Sequence, residues 1–388
     1  MNIAFVVYSH YSRDARVRRY TESLAKKGFN VDVISLAEHY QPKEKNISLI
    51  KYPFGRKRLG KYWYIFEYFL FFFYSFFILS ARYLFRKYKF VHINNMPDFL
   101  VFTAIIPKFF GAKIILDLHD PMPELYMSKY HVGENDWMVK RLKSLENISI
   151  KFSDRVITAN PIFKEIFLSR NNIPTDKITV ILNCPDARIF QPLKSKKSNN
   201  KYFNLFYMGT VEERFGLDTA IDALTILVNK IPNLRFIVIP KLEDEGKYSV
   251  ELKNKIRRLK LEKYISFHSP IPLEHLIKKI SSANIGIVLA KDGIFTDSII
   301  PVKLLEFIQM GIPVIATETR SLRRYFSNEQ ICFVKNSAED FLKAVLKLYA
   351  NPTLGKVFAL KAKNYLKKNN WRNEQRKYFA IIESLDIL

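Results

Sequence analysis

Cysteine is scarce in this sequence, which has only Cys184 and Cys332 among its 388 residues. The two lie far apart, show no spacing typical of metal ligands and are flanked by apolar residues. They are therefore predicted to be buried, unpaired thiols, and cysteine usage does not argue for an oxidising compartment. The sequence also lacks low-complexity tracts and repeats of solenoid length, and 48% of its residues are hydrophobic, which excludes wholesale disorder.

A secretory leader is also missing from the first residues, which have neither a basic n-region nor a small-residue cleavage site. Met1–Val7 instead predicts a buried first strand. From this segment we expect a cytoplasmic protein.

Acidic residues are few, since 37 Asp and Glu stand against 62 Lys and Arg and the formal net charge is +25. Such a charge attracts nucleic acid, an anionic membrane surface or phosphorylated substrates. The sequence contains no zinc finger, helix-turn-helix signature or aromatic ribonucleoprotein motif, and its basic residues are spread over both halves. We therefore expect no nucleic-acid partner, while the other two classes remain open.

Two α/β domains are predicted from the length and from the alternation of short apolar runs with helical patterns. The alternation is clear from Ile3 onward and restarts at Leu205, after a polar stretch at residues 191–201. This stretch has the composition of a linker. The prediction is a parallel, doubly wound sheet in residues 1–190 and a second one in residues 202–370.

An aromatic segment, Tyr62–Phe85, departs from the soluble pattern. Its uncharged part, Tyr68–Ala81, is shorter than the ~20 residues that cross a bilayer, so a full span is not expected. One interpretation is a helix packed on the sheet. The other is a helix in the membrane interface, because basic residues flank the segment on both sides, including Arg56-Lys57-Arg58.

The first of four chemically informative patterns is Ser12–Arg19, where arginines enter a helix directly after the first strand. A helix N-terminus at the carboxyl edge of a parallel sheet is an anion site, although a solvated basic helix face is the alternative. The second is Asp117–Glu124, which follows a buried strand and places His119 just past the strand end. A histidine there is a candidate ligand-facing group.

The third pattern, Phe206–Leu217, is a strand, a glycine and then an arginine entering a helix. The fourth is Asp297–Phe307, which reads Asp-Ser-Ile-Ile-Pro-Val-Lys-Leu-Leu-Glu-Phe and continues into a Gly-Ile-Pro-Val-Ile-Ala strand entry. An ordinary amphipathic helix with an exposed Lys and Glu is the alternative to a binding role for the fourth pattern.

Taken in this order, the four patterns resemble those of family 4 glycosyltransferases, which are retaining, nucleotide-sugar-dependent enzymes of the GT-B fold. The resemblance covers nearly the whole chain, and its most specific part is the Pro-x-Lys-Leu-x-Glu segment, which marks a subset of the family. It implies two Rossmann-like domains that face a central cleft. It also implies that a C-terminal helix within residues 371–388 crosses back onto the first domain.

The resemblance assigns roles to individual residues. His119 would face the donor sugar, Arg214 and Lys303 would bind its diphosphate, and Glu306 would bind the nucleotide ribose. The full implied set is catalytic His119, Arg214 and Lys303; donor-binding Gly209, Thr210, Lys241, Asp297, Ser298 and Glu306; and acceptor- or phosphate-loop residues Arg13, Arg16 and Glu124.

Three departures from the family pattern accompany these assignments. The loop before the first helix has no glycine, Phe215 stands where some members carry a lysine, and Ser298 replaces the first of two glutamates. They motivate an alternative, a catalytically degenerate partner or scaffold protein.

The resemblance implies hexosyl transfer from a UDP- or GDP-sugar to a lipid-linked or polysaccharide acceptor, at the inner face of the cell membrane. No metal or other cofactor is expected. The sequence has no Asp-x-Asp pair of the kind that holds a metal ion against a sugar diphosphate, and no evident carboxylate pair for hydrolysis.

Overall fold

The computed structural model describes residues 1–54, 61–192, 201–241, 246–271 and 273–385. The chain forms two compact units: Met1–Asn183 with Arg372–Leu388, and Cys184–Trp371. The first unit therefore ends before the predicted boundary at residue 190. The basic triplet at residues 56–58 and most of the predicted linker, 193–200, lie outside the described residues.

Each unit contains one sheet in which every pair of neighbouring strands is parallel. The strands of the first unit are β1 (Asn2–Val7), β2 (Asn30–Leu36), β3 (Ile47–Tyr52), β4 (Phe90–Asn94), β5 (Lys113–Leu118), β6 (Arg155–Thr158) and β7 (Ile178–Val180). Those of the second are β8 (Phe203–Gly209), β9 (Leu234–Pro240), β10 (Ile265–Phe267), β11 (Ile285–Val288), β12 (Val314–Thr317) and β13 (Cys332–Val334).

The helices of the described chain connect and cover these strands. They are α1 (Ala15–Lys26), α2 (Lys61–Arg86), α3 (Ile105–Phe109), α4 (Met122–Tyr130), α5 (Trp137–Phe152), α6 (Pro161–Asn171), α7 (Leu217–Lys230), α8 (Lys247–Arg258), α9 (Leu273–Ile280), α10 (Ile294–Ser298), α11 (Val302–Met310), α12 (Arg320–Arg323), α13 (Ala338–Ala350), α14 (Pro352–Lys368) and α15 (Trp371–Glu383). Single turns of 3-10 helix lie at Tyr11–Arg13, Thr175–Lys177 and Glu213–Phe215, and a longer 3-10 segment at Asp98–Ala104.

The strand orders are β3-β2-β1-β4-β5-β6-β7 and β10-β9-β8-β11-β12-β13. In both sheets the direction of winding reverses once, between β1 and β4 and between β8 and β11. Loops at the carboxyl ends of such strands diverge and leave a crevice where ligands bind. The predicted doubly wound α/β architecture is confirmed.

Alternating side chains of β8 belong to two different cores in the second unit. Leu205 and Tyr207 join the core covered by α7 and α13, whereas Phe206 and Met208 join the core covered by α11 and α14. The strand is therefore buried on both faces, which explains why its sequence is an almost unbroken apolar run.

The sequence did not predict β3, β7 and β13, which are edge strands. β7 and β13 have three residues each, and four of the six residues of β3 are exposed or partly exposed. An edge strand is covered less completely, so its sequence carries a weaker apolar signal. Between β4 and β5 the chain does not form one continuous helix but the 3-10 segment followed by α3.

The segment Ile65–Arg86 of α2 is long and apolar enough to cross a membrane. No other helix among the described residues meets both conditions. One face of α2 nevertheless packs on the first unit. Glu67, Phe71, Ser75 and Leu79, spaced four residues apart, are all buried. The polar side of this packing includes Tyr8, whose hydroxyl donates to Glu67.

Candidate active site

Gly209 ends β8 at the point where the second sheet reverses its winding. Its φ of +118° lies in a region that favours glycine. Its carbonyl accepts a hydrogen bond of 3.0 Å from the amide of Lys241, the residue after β9. The side chain of Lys241 is exposed. Two loops thus meet at this edge, with a cation on one of them.

Lys303, in the first turn of α11, reaches the same edge. Its Nζ lies 3.9 Å from the ring centroid of Tyr207 and 4.9 Å from that of Phe215. A Cβ built on Gly209 would lie 3.6 Å from Lys303 Cδ, so a side chain there would crowd the lysine.

The ammonium group of Lys303 has no hydrogen bond or ion pair with any described residue. Burial lowers the pKa of Lys303 to about 7, while the charge of Glu306, one turn further along α11, acts in the opposite direction. Two aromatic faces attract the cation but do not replace an anion. The site therefore holds a half-buried basic group that has no counter-ion in contact among the residues the structure describes.

Arg214 lies on the 3-10 turn that follows β8. Its guanidinium carbon is 5.1 Å from the ring centroid of Phe215 and 5.7 Å from that of Phe295. The guanidinium pairs with Glu212, and its Nε is buried without a hydrogen-bond partner in the structure. Phe215 thus contacts both Arg214 and Lys303, which brings two of the three predicted catalytic residues together.

Two predicted donor-binding side chains make bonds within the protein instead. The Ser298 hydroxyl is buried and donates to the carbonyl of Ile294 at 2.7 Å. Asp297 Oδ1 accepts a 2.7 Å hydrogen bond from the Arg320 amide at the start of α12. Their position at the end of a short helix allows these local bonds, and donor binding by Asp297 and Ser298 stays a prediction. Thr210 is half-buried, and its carbonyl accepts a hydrogen bond from the Tyr207 hydroxyl.

His119, in the first unit, follows β5 directly. Its amide donates to Asn95 Oδ1 at 2.8 Å, and its Nε2 lies 3.3 Å from Oδ2 of Asp117. Burial acts to lower the pKa of His119, but the charge of Asp117 outweighs it and raises the pKa. About a fifth of the side chain remains exposed, so the imidazole can reach a ligand.

Arg16 is turned into the protein, contrary to the prediction that it contacts the acceptor or a phosphate. Its Nε and Nη2 donate to the two oxygens of Asp117 at 2.8 and 2.9 Å, and the arginine is only 6% exposed. Arg13, three residues earlier, is exposed, and its side chain has no partner among the described residues.

Glu124 is a second correction in this unit. It is buried, and both of its oxygens accept hydrogen bonds from Arg170, at 2.5 and 3.2 Å. Arg170 also pairs with the buried Glu146. This ion-pair network fastens α4 to α5 and α6, and it leaves Glu124 without a surface to offer a ligand.

Sequence comparison matches both halves of the chain to one group of enzymes. Residues 190–370 match the family described as Glycosyl transferases group 1, and residues 15–188 match Glycosyltransferase Family 4. The chain belongs to glycosyltransferase family 4. The predicted family, and with it the assignment to the glycosyltransferases, is confirmed.

The relatives are distant in sequence. An uncharacterized glycosyltransferase of Methanocaldococcus jannaschii is 22% identical over 250 residues, which cover 63% of this chain and 62% of that protein. The match thus spans less than two thirds of the relative's length.

Solved structures show the same fold along the whole chain. The sucrose-phosphate synthase of Thermosynechococcus elongatus is 17% identical, with a TM-score of 0.79 and 99% of each chain covered. The Anabaena protein HepE, solved in complex with UDP-glucose, is 13% identical, with a TM-score of 0.71 and coverage of 99% of this chain and 100% of that one. The predicted GT-B fold is confirmed.

Asp117, His92 and Tyr378 form part of the site's surroundings in this family 4 chain, although the sequence did not single them out. His92 Nε2 lies 3.7 Å from Asp117 Oδ2, and its Nδ1 is 2.9 Å from the Tyr378 hydroxyl on α15. A charged residue near the end of an otherwise apolar buried strand was the available signal for Asp117.

The position of α11, which carries Lys303 and Glu306, depends on Gly286 in β11. A Cβ built there would lie only 2.5 Å from Cγ of the buried Phe307. The absence of a side chain at Gly286 therefore allows the helix to pack directly on the strand.

We predict that Gly286→Ala lowers the free energy of unfolding by about 1–3 kcal/mol, because the added methyl group displaces Phe307 and α11. Urea unfolding followed by far-UV circular dichroism measures the change, and hydrogen–deuterium exchange of β11 and α11 locates it. Gly133→Ala is the matched control, since a Cβ at Gly133 meets no heavy atom within 4 Å. Equal unfolding midpoints for the two variants would contradict this account of the packing.

Proposed function

We propose that the chain is a retaining hexosyltransferase, which moves a hexose from a nucleoside diphosphate sugar to a lipid-linked acceptor or a polysaccharide in cell-surface glycan synthesis. The observation that carries the proposal is the Lys303 ammonium group, which lies against Tyr207 and Phe215 beside Gly209 and has no ion-pair partner among the described residues. A diphosphate would supply the missing negative charge.

Cleavage of a sugar–diphosphate bond builds negative charge on the departing phosphate. In this proposal Arg214 is a cation already in place, and Lys303 is a basic group that the bound diphosphate keeps protonated, so that both stabilise that charge without reorganising during the reaction. Glu212 is the present partner of Arg214, and the diphosphate would compete with it for the guanidinium. Glu306 would accept hydrogen bonds from the nucleotide ribose, and Lys241 would add positive charge at the rim.

His119 is proposed to contact the donor sugar from the first unit. Its partly exposed imidazole, at the carboxyl end of β5, supports this role. A hydrogen bond from a sugar hydroxyl to the ring would help to hold the oxocarbenium-like transition state.

The donor class is supported by the Anabaena protein HepE, whose structures hold UDP, UDP with glucose, or UDP-glucose. Both UDP- and GDP-sugars remain candidates for this chain. The alternative of a degenerate partner protein is not favoured, because Arg214 and Lys303 both lie by the Phe215 ring and Gly209 lies beside Lys303 despite the family departures.

Isothermal titration with UDP, GDP and their sugars tests the donor site. We predict that Lys303→Met weakens binding roughly 10–100-fold, because a charge-assisted bond to phosphate contributes about 1.5–3 kcal/mol. Lys356→Met, at an exposed lysine of the same unit, is the control and leaves the affinity unchanged.

Release of nucleoside diphosphate from the donor that binds, with and without a lipid acceptor, tests turnover. The rate is expected to be unaffected by EDTA if the site works without a metal ion. The proposal fails if no donor binds, or if Lys303→Met and Lys356→Met behave alike.

We also propose that α2 attaches the protein to an anionic membrane, at the inner face of the cell membrane. The side of α2 that points away from the sheet is apolar and exposed. Its exposed large residues, here called the aromatic face, are Phe66, Phe69, Phe73, Phe77, Leu84 and Phe85. Phe109 and Phe110 on the neighbouring α3 are exposed as well, at 82% and 60%.

Positively charged side chains lie near the C-terminal end of the aromatic face. Lys87, Lys89 and Lys113 are exposed close to Phe85 or Phe110 in the chain, and the Lys113 amide donates to the Lys89 carbonyl. Apolar residues flanked by lysines suit the interface of an anionic bilayer, where each lysine adds about 1 kcal/mol.

The N-terminal half of α2 lies at the carboxyl edge of the first sheet. Tyr8, which follows β1, packs against Tyr68 and Phe71 with ring centroids 5.0 Å apart in each case. A membrane along α2 would thus lie beside the edge where His119 sits. This continuity supports a lipid-linked acceptor more than a soluble polysaccharide.

We predict that the double variant Phe73→Ser, Phe77→Ser reduces binding to vesicles of phosphatidylglycerol and phosphatidylcholine by at least about 100-fold, since burial of each aromatic side chain contributes about 1.5–3 kcal/mol. Co-sedimentation measures the bound fraction. Leu360→Ser is the control, because this exposed leucine lies on α14 in the second unit. Binding that is absent in the wild type, or equal in all variants, would overturn the membrane assignment.

A further inference from the structure

Asp117 is a buried carboxylate of the first unit that lies among basic side chains. Its side chain has no exposed surface, and three basic side chains approach it: Arg16 at 2.8 Å, His119 at 3.3 Å and His92 at 3.7 Å. Burial alone would raise the pKa of Asp117, but the guanidinium of Arg16 holds the pKa well below its usual range. The carboxylate therefore stays charged.

Arg16 joins this carboxylate to the segment where the chain leaves the first unit. Its Nη1 donates to the Ile181 carbonyl at 2.8 Å and to Asn183 Oδ1 at 2.9 Å. Between these residues, the Leu182 amide donates to Glu374 Oε2 at 2.8 Å, near the start of α15. Since the units divide after Asn183 and Trp371, one hydrogen-bonded chain ties both crossing points to Asp117.

The same helix supports Asp117 from the opposite side. Tyr378 of α15 is buried, and its hydroxyl lies 2.9 Å from Nδ1 of His92, whose Nε2 faces the carboxylate. The place of Asp117 is thus set by α1, β4 and α15 together, and none of these contacts uses a surface that a ligand needs.

A charged carboxylate beside Nε2 of a histidine keeps a proton on that nitrogen, and this leaves Nδ1 as the acceptor of the neutral ring. We propose that Asp117 is a positioning residue that orients His119 and presents Nδ1 to a donor-sugar hydroxyl, while Arg16 keeps Asp117 in place. This inference rests on the proposed contact between His119 and the donor sugar. It changes the role of Arg16 from ligand binding to support of the site.

The groups that face His119 set the direction of its pH dependence. Asp117 and the N-cap Asp14 of α1 favour the protonated ring, whereas Arg16 and His92 oppose it. Loss of the Asp117 charge leaves the two opposing groups and Asp14. The pKa of His119 is therefore expected to fall when Asp117 is neutralised.

The test is an NMR titration of the His119 ring in the full chain, with the signal assigned through His119→Gln. Asp117→Asn is expected to lower the pKa of His119 by about one unit or more. Its release of nucleoside diphosphate should fall about 10–100-fold in kcat, with the donor KM changed less than about threefold. The pH profile of kcat should shift in the same direction as the titration.

Because Asp117→Asn leaves Arg16 buried without its partner, the double variant Arg16→Met, Asp117→Asn provides a second, charge-balanced test. Arg18→Gln on α1 is the control and should change neither the titration nor kcat, because the contacts of Arg18 with Glu22, the Ser12 carbonyl and the Tyr40 ring do not include Asp117 or His119. An unchanged His119 pKa in a folded Asp117 variant overturns the inference. If instead His119→Ala leaves turnover intact while the titration shifts as expected, the proposed contact with the sugar fails and the Asp117–His119 coupling stands.

Discussion

The loss of water around one ammonium group is the constraint on which the donor site depends. Lys303 is held against two aromatic rings, and no described carboxylate oxygen lies within ion-pair distance of it. A half-buried lysine without an ion-pair partner is unfavourable by itself, and the burial of Tyr207 and the close packing of α11 on Gly286 hold it in place. Folding of the second unit thus holds Lys303 at a position where an anionic ligand would supply its counter-ion.

In the first unit the buried charge is an anion, and it has partners. Asp117 is a buried anion that lies near Arg16, His92 and His119. Arg16 alone neutralises it with two short hydrogen bonds. Such a group contributes orientation and a fixed charge and does not contact a ligand. The two units therefore contribute different things: one an unsatisfied charge for binding, the other a satisfied charge that orients its neighbour.

The sequence allowed the architecture and part of the site to be predicted, because strand ends are local features. Gly209, His119 and Lys303 follow or precede buried runs whose direction in a parallel sheet is determined, so their common location at carboxyl ends could be inferred. Arg16 and Glu124 could not be assigned correctly, because motif position does not reveal whether a side chain turns inward. The partner of Arg16 is 101 residues away and that of Glu124 is 46 residues away, and only folding brings them together.

The most direct test of this account is the number of protons taken up when a nucleoside diphosphate binds. Isothermal titration at pH 8, in buffers of different ionisation enthalpy, measures this number. With an apo pKa of about 7, Lys303 is mostly neutral at pH 8, and a bound diphosphate would raise that pKa. The account predicts uptake of nearly one proton per nucleotide at pH 8, little at pH 6, and none in Lys303→Met. Binding without proton uptake at pH 8, or equal uptake in Lys303→Met, would contradict it.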